Sequence, residues 1–225
     1  MEKRSGAPSR RVWLETVAVG LIVACAAFAA LVAVTPSTSS AHPTGSGQTA
    51  TGGFPWPFAH GRVPALALRD QAGQLITLSR FRRTPVLLTF LDSKCTNLCP
   101  IEGAQLARVQ RALGSVSAPI VVVSVNPADT AASVHAFVRR SGWRPQWYWL
   151  MGSRRVLAPV WRSFGIGVRM NPGRVVTAGN TTVRLGKGIQ HTTALFLIGP
   201  GGRGRSIYLP PFVPSQVAAN VRTIA

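Results

Sequence analysis

The chain has 225 residues, 46% of them hydrophobic and only 14% charged, which excludes a mostly disordered polymer and leaves enough chain for a domain with a full core. Its formal charge is +19, from 25 Lys and Arg against 6 Asp and Glu, a field suited to anionic lipid headgroups or an acidic protein partner. Nucleic acid is not an expected partner. The arginines are scattered singly or in pairs such as Arg82-Arg83 and Arg139-Arg140, without a basic helix, a zinc-finger spacing or an aromatic RNP-like strand.

Residues 1–11 carry Lys3, Arg4, Arg10 and Arg11 and read as a cytoplasmic N-terminus. Residues 12–34 read as a transmembrane anchor or uncleaved signal. The uncharged run Val17–Val34 reaches the lower length limit for crossing a bilayer as one N-terminal transmembrane helix. Two alternatives stay open: a cleaved signal peptide, from the small residues Ser39–Ala41, and a lipoprotein, from Ile22-Val23-Ala24-Cys25. Each places the remainder outside the cytoplasm, and the first makes the protein a single-pass component of the cell membrane. Residues 35–60, rich in Ser, Thr, Gly and Pro, read as a flexible linker, with His42 as a solvated member. The folded domain is expected over 61–225.

Within that domain Ala65–Leu68 and Leu75–Leu78 flank the turn-rich Arg69–Gly73 and predict a short hairpin. Pro85–Leu91 has the continuous apolar character of a central strand covered on both faces. A loop with two cysteines follows. Pro100–Leu113 then predicts a helix whose core face carries Ile101, Leu106, Val109 and Leu113, with Pro100 in its first turn. Pro119–Val125 predicts a second buried strand, Thr130–Arg140 a helix with Val134, Phe137 and Val138 inward, Trp147–Leu150 a third strand, and Arg154–Phe164 a helix interrupted by Pro159. Val175–Val176 and Thr182–Leu185 suggest a polar hairpin. Thr192–Ile198 is a strand led by His191, Gly199–Gly202 a turn, Ser206–Leu209 the returning strand, and Pro214–Thr223 a closing amphipathic helix. This order predicts an α/β fold around a mixed sheet.

The chemistry concentrates in Cys95-Thr-Asn-Leu-Cys99-Pro100. Of three cysteines, Cys25 lies in the apolar N-terminal run, so Cys95 and Cys99 are the domain's own thiols: one close pair, the count of a site rather than of a disulfide framework. At a helix N-terminus the exposed N–H groups favour thiolate over thiol, and Lys94 adds positive charge. With His191 the pair makes two soft sulfurs and one imidazole. That set lacks the fourth ligand of a structural zinc site and suits Cu(I). The same thiols could instead cycle between dithiol and disulfide, which makes Cys95 and Cys99 candidate catalytic residues of a thiol–disulfide reductase. A structural disulfide across so short a loop would stabilise little. A peroxidase is disfavoured because Cys95, the first candidate nucleophile in the loop, has Asp92 rather than Thr three positions before it. His60 and His135 read as packing or surface residues, and Asp92 as a polar loop residue or a modulator of the thiols. Trp143, Trp147, Tyr148, Trp149 and Trp161 read as core or groove rim. Met151 and Met170 are too few for a methionine-type copper site.

Three segments carry a family resemblance. Cys95–Pro100 after an apolar strand resembles the CxxxCP motif of the Sco/SenC copper chaperones. Ser124-Val-Asn-Pro-Ala-Asp129-Thr130 resembles that family's SVDPxxDT stretch, and His191-Thr-Thr-Ala-Leu-Phe-Leu-Ile-Gly-Pro-Gly-Gly its histidine-led strand and turn. The resemblance runs from about Pro64 to the C-terminus. It implies a thioredoxin-like three-layer fold, a membrane anchor, copper held by Cys95, Cys99 and His191 as Cu(I) and conceivably Cu(II), and a role in maturing the copper site of cytochrome c oxidase subunit II by metal donation, thiol reduction or both. This chain departs from the family in three places: Asn126 stands where Asp is common, the turn Gly199–Gly202 has no acidic residue, and Gln190 rather than proline precedes His191.

Overall fold

A computed structural model describes residues 52–171, 173–178, 181–185 and 188–225, and the expected membrane segment and most of the linker lie outside these residues. Among the described residues no helix is long and apolar enough to cross a membrane. The described part belongs to one compact unit, Gly47–Ala225.

The centre is a mixed six-stranded sheet, built on two continuous apolar runs of the domain. β4 (Val86–Leu91) and β5 (Ile120–Ser124) are buried along their whole length and pair in parallel, as do β5 and β6 (Trp147–Leu150). On the other side of β4 the strands run antiparallel: β11 (Leu195–Gly199), β12 (Arg203–Tyr208) and the two-residue β1 (Phe54–Pro55), in the order β1-β12-β11-β4-β5-β6. β2 (Ala67–Arg69) and β3 (Leu75–Thr77) form the expected hairpin, and β8 (Arg174–Ala178) with β9 (Thr181–Leu185) the second one. β7 (Val168–Asn171) pairs with β10 (Gly188–His191) as a separate ribbon.

Period-two alternation along the strands divides the core between two faces. Leu87 and Leu91 of β4 and Ile120 and Val122 of β5 face one side. There they meet Leu106, Val109 and Leu113 of α1 (Leu98–Leu113), Val134 and Phe137 of α2 (Ala131–Ser141), and Val217 and Val221 of α4 (Pro214–Ile224). Leu88, Phe90, Val121 and Val123 face the other side, against Leu68, Ile76 and Phe81 and against Leu157 and Trp161 of α3 (Arg154–Ser163). The result is three layers, with the sheet in the middle. α2 begins at a reciprocal cap, Thr130 Oγ1 accepting from Ser133 N and Ser133 Oγ from Thr130 N. α3 continues through Pro159.

Three expectations are corrected. Ile101 is 53% exposed; α1 starts two residues before Pro100, and its inward stripe begins with Cys99, Glu102 and Gly103. His191 does not lead the strand Thr192–Ile198 but ends β10, opposite Val168, and the next strand begins only at Leu195. Finally, order begins before residue 61: Phe54 pairs with Ile207, and the Trp56 indole donates to the Arg62 carbonyl at 2.8 Å while lying against Gly204. The polar composition upstream hid three aromatics that pack on the sheet edge, Phe54, Trp56 and Phe58.

A Cβ at residue 204 would fall 1.8 Å from the Trp56 ring, so the indole must leave its seat. Gly204→Ala is expected to cost about 1–3 kcal/mol, which lowers Tm by roughly 3–10 °C in a melt followed by tryptophan fluorescence.

Candidate functional site

The thiol loop leaves the C-terminal end of β4 and turns sharply into α1. Its shape is set by buried polar groups. Asp92, buried, accepts from Lys94 N and from Asn126 Nδ2, both at 2.9 Å, and its carbonyl accepts from Cys95 N at 3.2 Å. Asn126, the departure from the family pattern, is therefore a donor to Asp92; an Asp in its place would set two carboxyl groups against each other. Beneath the loop Ser93 Oγ lies 2.6 Å from both Asp129 Oδ1 and Ser133 Oγ, and Ser124 Oγ donates to Asp129 Oδ2 at 2.5 Å. Burial raises the Asp129 carboxyl above its ordinary range, against these hydroxyl donors.

Asn97 caps α1, its Oδ1 accepting from Leu98 N at 2.7 Å and, in the thiol form of Cys95, from Sγ at 2.8 Å. Cys95 is half-buried, Cys99 fully buried, and both are free thiols. As a thiolate, Cys95 accepts the proton of Cys99. That hydrogen bond is the largest reason its pKa is pulled down to about 5, with backbone N–H donors assisting and partial burial opposing. Cys99 is pushed far above the usual thiol range, first because its proton is held by Cys95 and then by burial. Lys94 plays no part in this. Its ammonium donates to the Ala128 carbonyl at 2.5 Å, away from the sulfurs.

His191 arrives from the far side of the sheet. β10 pairs Ile189 with Met170 and His191 with Val168, and Thr192 N donates to the Gly167 carbonyl at 2.9 Å. The ring's Nδ1 lies 3.1 Å from the Thr192 carbonyl, which can only accept, so Nδ1 carries a proton and Nε2 is the nitrogen turned to the thiols. Nε2 lies 3.8 Å from Cys99 Sγ. Sequence reasoning gave no hint of Thr192, because the orienting group is a main-chain carbonyl. Cys95 Sγ reaches Cys99 and Asn97 but makes no hydrogen bond to the imidazole. Among the described residues no three His, Cys, Asp or Glu side chains stand close enough together to hold a metal ion. A cleft of ≈ 590 Å³ lined by Asp92, Lys94, Asn126, Met170 and Ile189 opens beside the loop. His60 and His135 are exposed and stand apart from the site, His135 with its ring edge-on to Trp147.

A sequence model of the SCO1/SenC family matches residues 62–225. The chain belongs to the SCO1/SenC family. It is 27% identical over 161 residues to the mitochondrial protein SCO2 homolog of Bos taurus; the match covers 69% of this chain and 57% of that relative, so this chain spans a little over half of its length. In three dimensions it resembles copper-bound ScoI of Bradyrhizobium japonicum (24% identity, TM-score 0.54, 72% of this chain and 98% of that one). It also resembles BsSco, a member of the Sco family of cytochrome c oxidase assembly proteins in which a disulfide switch is described (19% identity, TM-score 0.55, 72% and 92%). The three layers around a mixed sheet are thus the thioredoxin-like Sco fold.

The unequal thiols have a direct consequence. Iodoacetamide reacts with thiolate, so modification of Cys95 is expected to rise with pH through about 5 and level off above pH 6, while buried Cys99 stays unmodified. Peptide mass spectrometry of the reduced protein after brief alkylation reads both sites.

Proposed function

We propose that this protein is an extracytoplasmic Cu(I) metallochaperone, tethered to the membrane by its N-terminal segment, that serves assembly of the copper site of cytochrome c oxidase subunit II. Family membership and the copper-bound ScoI structure support the class of cargo. The observation that carries the reading to this chain is His191 Nε2 facing Cys99 Sγ from 3.8 Å, with the opposite ring nitrogen tied to a carbonyl. A metal-binding histidine is oriented in the same way, by a carbonyl on its other nitrogen.

The donor set fits the cargo. Two thiolates and a neutral imidazole are soft and borderline ligands, and three of them leave an open edge for handing the ion on. Cys95 supplies a thiolate at neutral pH. Cys99 must give up its proton as copper arrives, and Cys95 its contact with Asn97. Uptake therefore releases protons, and affinity weakens as pH falls. The +19 formal charge suits an acidic docking face on the target or anionic lipid around it.

A second reading rests on the same asymmetry of the thiols. The Cys95 thiolate attacks a target disulfide to form a mixed disulfide. Cys99 then displaces the target thiolate, closing a Cys95–Cys99 disulfide; the target leaves as a dithiol with two electrons from the protein, one proton from Cys99 and one from solvent. The switch described for BsSco supports this chemistry as a companion activity.

Metal analysis of the reduced protein after Cu(I) loading and desalting separates the two. About one copper per chain is expected, lost in Cys95→Ser and Cys99→Ser and weakened about tenfold or more in His191→Ala. Unchanged copper content in both cysteine variants overturns the carrier reading. A mixed disulfide trapped by Cys99→Ser together with no copper in the wild type favours the reductase alone.

A further inference from the structure

Glu102 lies one helical turn beyond Cys99 in α1 and is 1% exposed. Its Oε1 lies 2.5 Å from Thr89 Oγ1, and its Oε2 has no hydrogen-bond partner. Thr89 stands on β4 between Leu87 and Leu91, on the sheet face that α1 covers, and is fully buried. Its hydroxyl reaches a second group, the Ala194 carbonyl at 3.1 Å. Ala194, also buried, is three residues past His191, in the connection that leads from β10 into β11.

A threonine hydroxyl has one hydrogen. Thr89 O–H stands between two acceptors and donates to the nearer, Glu102 Oε1, while the Ala194 carbonyl lies 3.1 Å away. When the carboxyl is protonated the same contacts can run as a chain, Glu102 O–H to Thr89 and Thr89 O–H to Ala194. Burial raises the Glu102 pKa to about 7, and the Thr89 hydrogen bond opposes that rise. A polar pair in this place is costly, because one carboxyl oxygen is orphaned in an apolar layer. Two apolar side chains of the same size would pack there at no such cost.

We propose that Glu102 and Thr89 are positioning residues that set the His191 imidazole against the thiols by tying α1, through the central strand, to the connection that bears the histidine. This rests on the copper-carrier reading. The 192–194 connection is anchored from one side by Thr192 N to the Gly167 carbonyl and Gly167 N to Thr192 Oγ1. Thr89 of β4 reaches the same connection at the Ala194 carbonyl. Both cysteines ride on α1 or its cap, so the chain references sulfur and nitrogen to one strand.

The test uses the reduced full chain loaded with Cu(I) alone, read by copper K-edge absorption and by competition with a Cu(I) chelator. The double variant T89V/E102M replaces the polar pair with an apolar pair and keeps the fold, which a thermal melt verifies. Wild type is expected to show two sulfurs and one nitrogen. T89V/E102M is expected to show two sulfurs without the nitrogen and an affinity about tenfold lower. Thr89→Ser and Glu102→Gln, which keep both hydrogen bonds, are expected to match wild type. The inference is overturned if the folded double variant keeps nitrogen and affinity, or if Glu102→Gln loses them. A wild type without the nitrogen removes the three-ligand carrier reading, and this inference falls with it. A double variant that fails to fold would show the pair to be structural and would likewise overturn it.

Discussion

The approach of the His191 Nε2 to Cys99 Sγ joins two parts of the fold that are 92 positions apart in the chain. One side is the N-terminus of α1, where the thiol loop enters a capped helix. The other is the end of a two-stranded ribbon outside the main sheet. Neither side alone makes a three-ligand site: the thiol pair without the imidazole is a redox dithiol, and the imidazole without the thiols is a half-buried surface group. Everything that surrounds them holds one of the two sides still. Asp92 and Asn126 shape the loop, the β7–β10 pairing carries the histidine in, and the Thr192 carbonyl turns Nε2 to the thiols.

The main-sheet strands and the helices were legible because their signals are physical and local. β4 and β5 are continuous apolar runs, and the thiol loop sits between an apolar strand and a proline-bearing first turn. The pairing of β7 with β10 was not legible. Val168–Asn171 and Gly188–His191 are four residues each, mixed in polarity and nowhere buried, so nothing in them separates a ribbon from a loop. His191 consequently looked like the start of the apolar strand that follows it. Ile101 misled in the opposite direction. It lies at helical spacing from the core residues, yet the inward stripe of α1 starts with Cys99 and Glu102, a thiol and a carboxyl where periodicity called for hydrocarbon. A buried acid breaks the pattern that sequence reading depends on, and in this chain the break falls beside the site.

Charge is distributed by the same logic. The four acidic residues past the linker are Asp70, Asp92, Glu102 and Asp129. Three are buried and Asp129 is partly so, each with a hydrogen-bonding task inside the fold. The exposed charge is left to Lys and Arg. An excess of arginine that looks like a binding signal in the sequence is sharpened in three dimensions, among the described residues, by the burial of Asp70, Asp92 and Glu102 and the partial burial of Asp129.

The most direct measurement is a ¹⁵N NMR spectrum of the histidine side chains of the reduced protein before and after one equivalent of Cu(I). The account predicts that the Nε2 resonance of His191 moves to a metal-bound position while Nδ1 keeps its proton, with His60 and His135 unchanged. A His191 ring whose two nitrogens stay where they were, in a protein that has taken up its copper, would contradict it.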